Sequence, residues 1–102
     1  LSQFFLARAF GHFCCYMQAA GNEAFQLGKH AEAVEHYSAA LACNGESRPY
    51  NAMCFCNRAA ASQALGHIAD AIADCSRAIA LDSSYPKVLS FIFSFFLRCM
   101  EI

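Results

Sequence analysis

The sequence predicts an all-α protein: a short solenoid of two helix–turn–helix repeats followed by one C-terminal helix. Three observations carry this. First, Gly28, Ala33, Tyr37 and Ala40 recur 38 residues later as Gly66, Ala71, Cys75 and Ala78, and a fixed period in this range is the signature of stacked repeats. Second, the apolar residues after each glycine fall at helical spacing. Third, no stretch alternates apolar and polar residues as a strand would.

Residues 1–16 do not match the repeat and form an atypical N-terminal segment. Two repeats fill residues 17–85, the first over 17–44 and the second over 49–82. The first opens with a helix over 17–27, with Gly28 at the position after its end, where a left-handed backbone suits glycine. HAEAVEHYSAALACN follows. Ala33, Val34, Tyr37, Ala40 and Leu41 make one apolar stripe, with Glu32 and Glu35 on the opposite face. The loop NGESRPY leads into a second pair. Pro49 suits a first helical turn, with Ser47 as its cap, and this helix runs over 49–65 to Gly66. HIADAIADCSRAIALD repeats the stripe with Ala71, Ile72, Cys75, Ala78 and Ile79, and Asp70 and Asp74 take the other face. His30 and His67, each just after a turn glycine, read as equivalent repeat positions. Residues 86–102 are a degenerate third-repeat helix or hydrophobic tail. Phe91, Phe93, Phe95 and Phe96 lie nearly all round the axis, which suits neither a groove wall nor a solvated cap. This segment is expected to fold over Ile72 and Ile79, or to drive self-association through the Phe-rich C-terminus.

Composition narrows the function classes. The 102 residues are 58% hydrophobic and 15% charged, too apolar for a disordered chain. A formal net charge of −1 with no Lys/Arg run excludes a field that would gather nucleic acid or an anionic membrane. The longest apolar run, residues 88–97, is ten residues, against roughly 20 for a spanning helix. Seven cysteines without a secretory signal indicate reduced thiols and a cytoplasmic setting, the nucleus included. A chain that starts at Leu1 also fits a piece of a longer protein.

CFCNRAAA, residues 54–61, raises the question of chemistry. A zinc site commonly uses C-x2-C pairs, and none occurs. Cys54 and Cys56 lie about 200° apart around a helix, so they face different sides. No nucleophile elbow, phosphate loop or HExxH motif is present. We therefore expect no metal, no cofactor and no enzyme, with a thiol-based redox protein or a truncated fragment without independent function as the alternatives. Tyr37, Phe25 and Phe55 read as core rather than ligand contacts. Arg58 reads as a structural ion-pair partner to a neighbouring repeat.

The pattern GNEAF…G…A..A…Y..A from Gly21 to Ala40, and NRAA….LG…A…C..A from Asn57 to Ala78, resembles the tetratricopeptide repeat (TPR). The wording of the chain is similar to the TPR region of plant TPR–J-domain co-chaperones of the DnaJ class. It contains no His-Pro-Asp tripeptide, so it lacks the J-domain means of stimulating a chaperone ATPase. The resemblance implies a non-catalytic scaffold that binds a protein or peptide in a groove, with the C-terminal tail of a heat-shock chaperone as the candidate partner. In the subclass that clamps a terminal carboxylate, two asparagines and three cations donate to it. The resemblance assigns Asn22 and Asn57 to the asparagines and Lys87 to one cation. Gln18 and Phe91 stand where the other two cations are expected. The clamp is therefore expected to be weak or lost.

Overall fold

The computed structural model describes residues 13–42 and 48–82, together with the single positions 90, 93, 94 and 97. Among the described residues are four α-helices and no strand: α1 (Phe13–Gln26), α2 (His30–Leu41), α3 (Arg48–Ala64) and α4 (Ile68–Leu81). Each helix packs against the next in the chain, and α1 also touches α3. The result is two stacked helical hairpins, the short solenoid that the repeat predicts.

The first helix starts earlier than the repeat match. Cys14, Met17, Gly21 and Ala24 are all buried and fall at i, i+3, i+7 and i+10, so the inward stripe of α1 extends one turn beyond the point where repeat similarity ends.

Both hairpins turn in the same way. Gly28 has φ 78° and Gly66 φ 83°, a backbone region that costs glycine little. The Gly28 N–H donates to the Phe25 carbonyl at 3.0 Å and the Lys29 N–H to the Ala24 carbonyl at 2.8 Å. Gly66 N–H to Gln63 and His67 N–H to Ser62 repeat this pair at 3.0 and 2.8 Å. These are Schellman motifs, which satisfy carbonyls the helix end would otherwise orphan. Lys29 and His67 then share nearly the same backbone angles, φ −90° and ψ 70° against φ −86° and ψ 71°. His67 is thus the counterpart of Lys29, not of His30. His30 lies one residue further on and sets its ring edge-on to Phe25, centroids 5.0 Å apart.

The core is built largely from small side chains, which lets the helices approach closely. A Cβ added at Gly21 would lie 2.6 Å from the Tyr37 ring, so the α1–α2 crossing depends on the missing side chain. α3 is buried on two sides. Cys54 packs with Met17 and Ala40, and Ala61 with Ala24, Ala33 and Tyr37. On the α4 side, Ala52, Cys56 and Ala59 pack with Ala71, Cys75 and Ala78.

Asp74 departs from the solvated face expected for it, being only 2% exposed. It accepts a bidentate pair from Arg58, Nε and Nη2 each at 2.8 Å, and a further bond from Arg77 Nη1 at 2.7 Å. A carboxylate with three charge-assisted bonds tolerates burial that an unpaired one would not. Arg58 also donates from Nη1 to Ser38 Oγ at 3.0 Å. Its ion pair therefore lies within the second hairpin, and the link to the neighbouring repeat is this hydrogen bond from the charged guanidinium to a neutral hydroxyl. The pairing with Asp74 holds the Arg58 guanidinium charged more firmly than usual, against the opposing effect of its burial.

Ile72 and Ile79 retain 44% and 41% of their surface, so neither is buried. Most of the segment expected to cover them lies outside the described residues.

Candidate peptide-binding cleft

α1 turns Asn22, Phe25 and Gln26 away from its buried stripe, at i, i+3 and i+4. α3 places Asn57 and Ala60 at i and i+3 on the side lying between its two packed faces. These five residues, with Tyr37 of α2, line one cleft of about 210 Å³. The two asparagines singled out in the sequence thus share a single site, although 35 residues separate them.

The cleft is anchored from below. The Tyr37 ring is in the core at 2% exposure, while its hydroxyl donates to Asn22 Oδ1 at 2.6 Å. Burial, with a smaller contribution from nearby Cys54, pushes the Tyr37 phenol up to about 12, so it remains a donor at neutral pH. Because Oδ1 accepts that bond, the Asn22 amide is oriented with its NH₂ free to donate. Phe25 and Tyr37, expected to be core only, therefore also line the cleft. Phe55 is half-buried against the α3–α4 core and lies under the Arg58 guanidinium, 5.4 Å from its ring centroid. Gln18 sits one turn before Asn22 on α1, half-buried and outside the cleft lining. Lys87 and Phe91 lie outside the described residues. Gln26 and Ala60 were not singled out in the sequence, and their helical spacing from Asn22 and Asn57 is the signal that places them here.

The cysteines are arranged for packing. Cys54 and Cys56 are both fully buried, and they enter different core clusters as their helical phase requires. Burial foremost, then the neighbouring Cys75 and Asp74, pushes the Cys56 thiol up to about 12, far from the thiolate that redox chemistry uses. Cys15 is free and exposed. Cys14 corrects the expectation of uniformly reduced thiols: it is disulfide-bonded. Among the described residues no cluster of His, Cys, Asp or Glu could hold a metal ion, and no helix is long and apolar enough to cross a membrane.

The fold and its repeat are those of a short TPR-like helical solenoid. The chain is 39% identical over 67 residues to DnaJ homolog subfamily C member 7 of Mus musculus, covering 66% of this chain and 14% of that protein. It is 33% identical over 85 residues to the TPR repeat-containing thioredoxin TTL4 of Arabidopsis thaliana, covering 83% of this chain and 12% of the relative. It is 48% identical over 55 residues to the small glutamine-rich tetratricopeptide repeat-containing protein beta of Homo sapiens, covering 54% of this chain and 17% of the relative. The chain thus spans less than a fifth of the length of each of these proteins. No family profile and no solved structure matches it.

Proposed function

We propose that this chain is a non-catalytic protein-interaction module that binds an extended peptide across α1 and α3, as a co-chaperone-like TPR scaffold. The observation that carries the reading is the meeting of Asn22 and Asn57 in one cleft, with the Asn22 amide oriented by the Tyr37 hydroxyl. Two amide donors on one wall suit a peptide carboxylate or backbone carbonyls, and Phe25 and Ala60 offer apolar surface between them. A heat-shock chaperone tail ending in Glu-Glu-Val-Asp is the candidate ligand. Gln18 stands where the resemblance expects a cation, so Coulomb attraction is missing there and the affinity is modest, each absent charged bond forfeiting about 1.5–3 kcal/mol.

Titration calorimetry with a Glu-Glu-Val-Asp peptide, free and C-terminally amidated, tests this. Asn22→Ala together with Asn57→Ala should weaken binding on the order of ten- to thirty-fold, from about 1 kcal/mol per lost bond. Amidation should weaken it as well. Undiminished binding by the double variant would remove both residues from the site. The buried, protonated Cys56 is not suited to the redox alternative, which would fall to Cys14 and Cys15.

A further inference from the structure

α2 and α4 carry matching faces, but among the described residues only that of α2 is covered. Val34 and Leu41 of α2 are half-buried in the clusters that join α2 to α3. Their counterparts 38 residues on are Ile72 and Ile79 of α4, which stay more than two-fifths exposed. The receiving side of that joint is repeated as well. α3 receives α2 through Cys54, Arg58 and Ala61. The counterparts on α1 are Tyr16, Ala20 and Glu23, and these three line a cleft of about 460 Å³ between α1 and α2. Leu27 on the same cleft keeps 64% of its surface. In the second hairpin the equivalent cleft is reduced to about 210 Å³, and Val34 and Ser38 of α2 form part of its wall. A helix with the α4 pattern therefore has a receiving site of matching design at the other end of the same chain.

We propose that copies of this chain associate head to tail, α4 of one copy docking in the α1–α2 cleft of the next. Ile72, Ser76 and Ile79 take the places that Val34, Ser38 and Leu41 hold inside the chain. The occupant is a second copy because the interface continues one already present in the fold, with both of its halves encoded here. Such a contact is heterologous and does not close on itself, so assembly grows with concentration. It is weaker than the internal joint, because Ala20 stands in the place of Arg58 and His36 in that of Asp74.

Sedimentation velocity of the full chain over a concentration series tests this, with circular dichroism confirming the fold of each variant. Ile72→Glu with Ile79→Glu disables one face, and Ala20→Glu disables the other. Each variant should be monomeric alone, and an equimolar mixture should form dimers and nothing larger, since each supplies one intact face. Dimers of Ala20→Glu alone would indicate a symmetric α4 contact and overturn the proposal. Association of both variants like the parent, as the Phe-rich C-terminus would produce, overturns it too, as does a parent that stays monomeric throughout. Ala20→Arg combined with His36→Asp adds the missing pair, so it remains informative if the glutamate variants do not fold. It should tighten association about ten-fold, and an unchanged dissociation constant would overturn the proposal.

Discussion

Asp74 and Gly21 show how much of this fold rests on single side chains. Asp74 holds two guanidinium groups on a buried carboxylate, but the two ion pairs differ in worth. Arg58 is 21% exposed at its side chain and Arg77 54%. Removing the shared acceptor leaves Arg58 partly buried and uncompensated, so Asp74→Ala should cost about 3 kcal/mol. Arg77→Ala should cost less than about 1 kcal/mol, as for an exposed pair. Urea denaturation of the two variants checks the contrast, and equal losses would refute it. Gly21→Ala tests close packing. Its methyl would meet a ring held on both sides, by core packing and by the bond to Asn22, so we expect a loss of about 1–3 kcal/mol and a weakened cleft, read from the unfolding midpoint and peptide affinity together.

The helices themselves are joined by two copies of one turn. No atom lies within 4 Å of a Cβ added at Gly28 or Gly66, so the cost of Gly→Ala there is conformational alone. Each substitution should lower stability by about 1 kcal/mol. The sites lie in separate hairpins with no shared partner, so the double variant should show the sum. A marked departure from additivity would mean that the turns are coupled through the core. α3 is the central element: CFCNRAAA sends Cys54 and Ala61 toward the first hairpin, Cys56 and Ala59 toward α4, and Asn57 and Ala60 toward the cleft. The alternation of cysteine, alanine and polar residues in that stretch follows from a helix packed on two sides and open on a third.

The whole molecule carries a pH signature. Cys56 and Tyr37 are acids whose folded values, both about 12, lie above their ordinary 9.0 and 10.0. Unfolding releases these protons more easily, so above pH 9 the unfolded state binds fewer protons than the native one and stability falls with rising pH. The stabilisation is complete below about pH 9 and is lost between pH 9 and 12. Denaturant midpoints measured across that window should decline steadily. Cys56→Ala should move the onset upward toward pH 10, where Tyr37 alone acts. A flat profile between pH 9 and 12 would contradict the burial of both groups.

Much of this architecture was legible in the chain. Spacing alone marks Gly28 and Gly66 as helix ends, turns Cys54 and Cys56 apart, and sets the inward stripe of α2 and, through Ala71, Cys75 and Ala78 but not Ile72 and Ile79, that of α4, because each depends on 3.6 residues per turn and on backbone angles local to a few residues. The cleft was half legible: repeat phase selects Asn22 and Asn57, while the Tyr37 hydroxyl that orients Asn22 comes from a helix whose distance and tilt no period specifies. Asp74 illustrates the same limit. Its phase on α4 resembles that of Asp70, yet one is buried and the other exposed, because Arg58 arrives from another helix to pair with it. Periodicity states which residues share a face. What meets that face, and whether a charge on it is solvated or paired, is decided by packing between elements far apart in sequence.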